Sequence, residues 1–278
     1  MTPSAHLSYR HNERMVFRAA AWNSISRPEY RYLEAGETYN FNANGEITSI
    51  TRGNPALKPA EARNFDLGFE YYTRDGGLFS LGVYHKRIRN FILGDNGESE
   101  AVVGAVDNLP VPVTQPKNGS AAEITGVELT FQQQLRTLPA PFDGLGVAMN
   151  LTLQTSAAET GIPFRQGRRV EFMNSPEQLW NAALFYEKAG WEARLAASFN
   201  GAYIEDLRAH AVDKWIQART QYDFKLSRRI GAGWRGYFEI QNLTNEPVYW
   251  ATHGRKITNV KDYTEVGTSF IAGVSWTR

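Results

Sequence analysis

Apolar and polar residues alternate with period two along most of this chain. Near the C-terminal end Phe270, Ala272, Val274 and Trp276 take one side, and Ser269, Gly273 and Ser275 the other, with Ile271 as the exception. Upstream, Trp234, Gly236, Phe238 and Ile240 oppose Arg235, Tyr237, Glu239 and Gln241. Ile216, Ala218, Thr220, Tyr222, Phe224 and Leu226 oppose Gln217, Arg219, Gln221, Asp223, Lys225 and Ser227. The same alternation runs through Trp191 to Phe199, Leu145 to Leu153, Val127 to Leu135 and Phe65 to Tyr71. Period two predicts strands with one apolar face. Less regular stretches at 7–10, 15–26, 79–91 and 180–186 complete about eleven strands in an up-and-down meander.

Two features separate this pattern from a soluble β-sandwich. Many runs extend to roughly ten residues, where an ordinary strand has about five or six, and ten is what a tilted strand needs to cross a bilayer. The connections also alternate between short and long. His11-Asn12-Glu13, Arg74-Asp75-Gly76-Gly77, residues 138–143, Lys188-Ala189-Gly190 and Gly231-Ala232-Gly233 are short; residues 27–61, 94–120, 157–175, 202–212 and 251–262 are long. Short turns at one rim and long loops at the other are the layout of an outer-membrane barrel. The apolar-face aromatics Phe79, Tyr186, Trp191, Trp234 and Trp276 all fall beside the short turns, as an interfacial aromatic girdle requires.

Composition agrees with this picture and removes others. Thirty Lys and Arg against 29 Asp and Glu leave no charge excess that would favour nucleic acid. Cysteine is absent, which excludes disulfide scaffolds and thiolate metal sites. Mean hydropathy is -0.44 and no apolar run approaches the roughly 18 residues of a membrane helix. Barrel strands average lipid-facing with lumen-facing residues, so neither observation argues against them.

Several motifs then occur in order. Arg52-Gly53-Asn54-Pro55-Ala56-Leu57-Lys58-Pro59-Ala60-Glu61 leads into a long amphipathic strand, followed by the segment from Tyr84 to Ile92. An Asn118-Gly119 loop precedes Gly126-Val127-Glu128-Leu129, Asn174-Ser175-Pro176 introduces a further strand, and Asn242-Leu243-Thr244-Asn245-Glu246 follows the penultimate one. In this order and spacing they resemble the late barrel of TonB-dependent outer-membrane receptors, over nearly the whole chain. Here Glu61 stands one place later than in that family's pattern. The resemblance implies a barrel of roughly 22 strands with an N-terminal plug domain and a TonB-contacting segment. Residues 1–278 are then expected to be the C-terminal portion of such a barrel, about half its strands, beginning at an internal Met1 and without plug, TonB-contacting segment or export signal. Expected partners are outer-membrane lipid, the missing plug and N-terminal strands, TonB through the absent region, and the outer-membrane assembly machinery. The last strand, with Phe270, Gly273, Val274 and Trp276, resembles the terminal strand which that machinery reads.

The implied activity is energised uptake of a bulky solute, whether ferric siderophore, corrinoid or oligosaccharide. A passive porin-like channel is the alternative, and a soluble antiparallel β-sandwich a more distant one. Enzymatic readings find little to stand on. His6, His11, His85, His210 and His253 are scattered without metal-ligand spacing, and no Ser has a His–acid pair beside it. No metal or cofactor is expected. Candidate ligand contacts are the loop aromatics Tyr30, Tyr32, Tyr39 and Phe41, which could stack on sugars or chelator rings. Arg165, Arg168 and Arg169 would suit an anionic ligand. The charged residues Arg18, Asp66, Glu70, Glu128, Arg194, Arg219, Asp223, Lys225, Arg235 and Glu239 must face a wet interior or a plug, because charge in hydrocarbon is costly.

Overall fold

The structure is a computed structural model; it describes residues 2–94, 98–162, 165–207, 213–251, 254 and 260–277. His210, His253 and Arg278 lie outside the described residues.

Eleven strands form the wall. They are β1 (Ser4–Arg10), β2 (Met15–Ser26), β3 (Ala60–Tyr72), β4 (Leu78–Arg89), β5 (Ala121–Gln134) and β6 (Leu145–Glu159). They continue as β7 (Gln178–Lys188), β8 (Trp191–Asn200), β9 (Arg219–Gly231), β10 (Trp234–Gln241) and β11 (Ser269–Trp276). Sheet order equals chain order, the meander that the alternating pattern predicts.

Because strand pairing is in register, the odd–even pattern of each strand propagates around the sheet. One transverse row reads Leu7, Ala19, Leu67, Val83, Val127 and Leu153. Another reads Leu184, Leu195, Phe224, Ile240 and Phe270. These side chains stay uncovered: Leu67 is 64% exposed, Leu195 46% and Val274 63%. So broad an apolar surface needs an apolar surrounding. The opposite face presents Ser8, Arg18, Gly68, Gly82, Glu128 and Thr152 in one row.

At the rim of short turns the girdle aromatics touch in runs. Tyr9, Phe17, Phe69 and Phe79 follow one another with ring centroids 5.1–6.5 Å apart, and Trp234 lies 6.5 Å from Trp276. The Arg228 guanidinium sits 4.5 Å over the Trp191 ring. On the inner face two tyrosines lie flat across glycines of the next strand. A Cβ on Gly126 would stand 2.4 Å from the Tyr84 hydroxyl, and one on Gly273 equally close to that of Tyr237, so these positions need a residue without a side chain.

Two expectations need correction. The run from Ile216 to Leu226 is not one strand. Lys214–Ile216 belongs to a separate sheet, and the wall strand starts at Arg219. Alternation continues across the break, which hides it from a reading by period. The long connections are also not plain loops; they build a cap. Glu37–Phe41 and Ile47–Arg52 from the first join Glu98–Glu100 and Val111–Thr114 from the second in one four-stranded sheet. Tyr203–Asp206 and Lys214–Ile216 from the fourth join Val248–Ala251 and Val260–Thr264 from the fifth in another. The main hydrophobic core lies here, not in the wall. Phe91, Leu93, Ile162, Ile204, Leu207 and Trp215 are buried together, with Phe172 packed against them. Full burial of an aliphatic or aromatic side chain of this kind is worth about 1.5–3 kcal/mol.

Candidate functional site

Two surfaces can meet a solute: the inner face of the wall and the cap above it. Register puts all ten expected charged residues, from Arg18 to Glu239, on the inner face. Many are matched across strands. Arg18 bonds Glu70 at 2.8 Å, Lys225 meets Glu239 at 2.5 Å and Arg235 meets Glu192 at 2.7 Å. The Trp22 indole donates to Asp66 at 2.8 Å, and the Tyr84 hydroxyl donates to Gln154 at 2.6 Å. Asp223 accepts the backbone N–H of Asn242 at 2.8 Å. A lining of paired charges and amides presents a polar path with little net field of either sign.

The cap is held by the asparagines of the sequence motifs. Asn54 donates to the Pro116 carbonyl at 3.0 Å. Asn118 accepts from the Lys58 N–H at 2.8 Å and donates to the Lys58 and Asn90 carbonyls at 2.9 and 2.8 Å, tying the first long connection to the second. Asn242, in the left-handed region at φ 54, is buried; it accepts from the Glu246 N–H at 2.8 Å and donates to the Gly267 carbonyl at 3.2 Å. The strings around Asn54 and Asn118 therefore mark a clasp between two loops, and the one around Asn242 closes its own connection. Their signal in the sequence is the residue type, since asparagine tolerates positive φ and can bond adjacent backbone.

The aromatic candidates all belong to the first long connection. Tyr30 and Tyr32 sit on the short 3-10 turn Tyr30–Leu33, with Tyr30 90% exposed and the Arg31 guanidinium 4.9 Å over the Tyr32 ring. Tyr39 and Phe41 lie on the strand Glu37–Phe41, and Phe41 is 62% exposed. The Tyr39 hydroxyl donates to the Glu37 carboxylate at 2.7 Å, and this bond with the negative charge pushes the phenol pKa up. The basic set is not brought together. Arg165 is buried and bonds Asp213 at 2.5 Å, so it cannot share a surface with Arg168 and Arg169. Arg168 is exposed in a turn, and Arg169 pairs with Glu159 at 3.0 Å. Reading the sequence missed this buried pair because Asp213 and Arg165 stand in different connections. Among the described residues no cluster of three or more His, Asp or Glu is placed to hold a metal ion.

On the terminal strand Phe270, Val274 and Trp276 lie on the apolar face, 54–68% exposed. Gly273 lies on the other face under Tyr237, and the Trp276 indole donates to the Ala232 carbonyl at 3.2 Å.

Known proteins share this architecture. The family described as TonB dependent receptor-like, beta-barrel matches residues 1–243. A probable hemoglobin and hemoglobin-haptoglobin-binding protein of Haemophilus influenzae is 29% identical over 114 residues, covering 40% of this chain and 11% of that protein. The ferric enterobactin receptor PfeA of Pseudomonas aeruginosa superimposes with a TM-score of 0.67 at 18% identity, over 98% of this chain and 39% of the receptor. The siderophore receptor PirA of Acinetobacter baumannii gives 0.63 at 14% identity, over 99% of this chain and 40% of its own. The chain thus spans about two fifths of the length of these solved receptors, whose likeness speaks to fold alone. With the family match over 1–243, the conclusion is direct: the chain belongs to the TonB-dependent receptor β-barrel family of the outer membrane.

Proposed function

We propose that this chain supplies wall and extracellular cap to a receptor that takes up an iron-bearing solute, a ferric siderophore or a haem-type ligand, with energy delivered through TonB. The observation that carries the proposal is the cap. Asn54 and Asn118 join the first and second long connections, a hydrophobic core joins the second, third and fourth, and a shared sheet joins the fourth and fifth, over a polar inner face; a passive pore would not need to weld them together. The iron-bearing class is supported by the ligands named for the similar proteins, ferric enterobactin and hemoglobin. In this reading further strands join β1 and β11, which are not paired with each other among the described residues. A plug fills the lumen against the paired charges, and Tyr30, Tyr32, Tyr39, Phe41 and Arg168 offer the first contacts to the solute. The test is iron-limited growth of a host deprived of its own receptors and carrying the receptor that contains this chain. Growth on a ferric siderophore or haemoglobin that disappears with TonB supports the proposal; TonB-independent passage of small solutes overturns it in favour of a passive channel.

A further inference from the structure

The charges of the inner face are not spread evenly around it. They stand on β2 to β5, ending at Glu128, and resume on β9 at Arg219, Asp223 and Lys225. Between these sectors the inner faces of β6, β7 and β8 carry charge only beside the short turns, at Glu187, Glu192 and Arg194. Three transverse rows cross the gap. The lowest reads Gln132–Ala148–Ala183–Ala196–Asp223, the next Thr130–Asn150–Asn181–Ser198–Gln221, and the third Glu128–Thr152–Leu179–Asn200–Arg219. Four strand spacings separate β5 from β9, about 19 Å, and the three rows span about 13 Å along the strands. The gap is therefore a corridor in the wall, and it is recessed as well as neutral. Its lower row is three alanines, and below them Gly146 lies under the Phe185 ring, which would stand 2.2 Å from a Cβ there.

Fixed charges and small amides act differently on a molecule that slides past them. The flanking sectors offer charge-assisted bonds, which hold a polar partner in place. Amide and hydroxyl groups offer bonds worth about 0.5–1.5 kcal/mol net, which a moving solute can make and exchange. Permeation needs such weak and repeated binding, because a site that holds tightly does not release. Asn150 and Asn181 are exposed on the inner face, and an amide can both donate and accept. The Asn150 carbonyl accepts from the Thr130 hydroxyl at 3.0 Å, which turns its N–H groups toward the lumen. In the row above, the Asn200 Oδ1 is buried with no hydrogen-bond partner among the described residues, an acceptor for a donor from outside the chain. We propose that Asn150, Asn181 and Ser198 contact the solute in transit, and that a hydroxyl- or carbonyl-bearing solute descends the lumen along β6 to β8. The proposal rests on the transport reading above, and it leaves the charged sectors on either side to hold the plug.

The test places single cysteines in the whole receptor that contains this chain, which brings no cysteine of its own. Asn150→Cys and Asn181→Cys lie in the corridor; Ser80→Cys lies in the same transverse row but on β4, in the charged sector. A bulky water-soluble maleimide is added to energised cells after assembly, so that folding is not disturbed. The readouts are labelling rate, surface binding, and uptake of radiolabelled iron supplied as ferric enterobactin or as haemoglobin. The two corridor cysteines should label at least about tenfold faster than the one on β4, since reaction follows access. Their label should cut uptake about tenfold relative to the same unlabelled variant, with surface binding unchanged, because it narrows the path. Treatment of the Ser80→Cys receptor should leave its uptake as it was. Asn150→Asp/Asn181→Asp should slow the anionic ferric chelate more than Asn150→Ser/Asn181→Ser does. Equal labelling on β4, or TonB-dependent uptake that survives full labelling at position 181, would overturn the corridor and leave the transport reading intact. Uptake by the unlabelled receptor that ignores TonB would overturn the transport reading, and the proposal with it.

Discussion

Leu195 and Leu207 lie in neighbouring parts of the chain, yet one is 46% exposed on the lipid-facing wall and the other is fully buried in the cap. The contrast extends to whole regions. In the wall, register alone decides a side chain's surroundings, lipid at one parity and lumen at the other, and stability comes from ladder hydrogen bonds and cross-strand contacts. In the cap, side chains from the second, third and fourth connections converge on one core, and their environment depends on partners far away in sequence. Each region can therefore be broken by a different kind of change.

The largest effect should come from the wall's last strand. Removing residues 270–278 takes away the partners of β10 from Trp234 to Ile240 and the terminal aromatic Trp276. The expected outcome is complete loss of membrane insertion of the receptor that contains this chain. It is read as loss of heat-modifiable migration in outer-membrane fractions, and normal migration would refute it.

Next is the cap. Arg165→Ala leaves Asp213 without a guanidinium whose side chain is 5% exposed, and stranding one member of a buried pair costs about 3–5 kcal/mol. The loss should be confined to the cap: limited proteolysis should cut the connections at 160–177 and 202–218 sooner, while heat-modifiable migration of the barrel is retained. Arg165→Lys, which keeps a positive charge beside Asp213, should restore part of the resistance. If both variants unfold the barrel as well, wall and cap form one cooperative unit.

Much of the wall could be read from period two alone. Both faces are solvated, one by lipid and one by polar lumen, so neighbours add little to what alternation already says. The second strand is harder to read: Met15–Ser26 alternates imperfectly because Ala19, Ala20 and Ala21 fit either side. The cap was not legible for the converse reason. Its strands are two to six residues long, too short to show a period, and Ile50 is buried by pairing with Val113 of another connection. Among the candidate contacts, the exposure of Tyr30 and Phe41 follows from local polarity, but the burial of Arg165 depends on Asp213, which no local signal announces.

A smaller effect tests the parity of the wall itself. Leu195→Arg places a charge against hydrocarbon and should cost about 2–4 kcal/mol near mid-depth, as should Arg at Leu226 or Phe238; at Val274, level with Trp191 and Arg228 in the girdle, the cost should fall to about 1 kcal/mol or less. Arg at Thr152 or Gln132, on the lumen face, should be tolerated. Unfolding of the inserted receptor in guanidinium gives the comparison, and lipid-soluble cysteine reagents should label the first set and spare the second. The reverse labelling would mean that the faces are assigned the wrong way round.

The smallest expected effect contrasts two ion pairs, one in each region. At a short turn of the wall the Lys188 ammonium donates to the Asp143 carboxylate, with both side chains about one third exposed. This bond and the attraction of the positive charge hold the Asp143 pKa below the usual carboxylate range. A lowered carboxylate pKa stabilises the folded state only where the carboxylate is ionised. The contribution is therefore full above about pH 5 and fades as pH falls through the lowered value, below about pH 4. Being wet, it should also weaken as salt rises, because the Debye length falls to about 3 Å at 1 M. The Arg165–Asp213 pair, shielded by the cap core, should hardly respond to salt. Lys188→Met should therefore change the unfolding midpoint slightly at neutral pH and low salt, not at all in 1 M salt, and progressively less as pH falls below about 4. A loss that depends on neither salt nor pH would show that Lys188 acts through packing of its stem against the turn instead of through its charge.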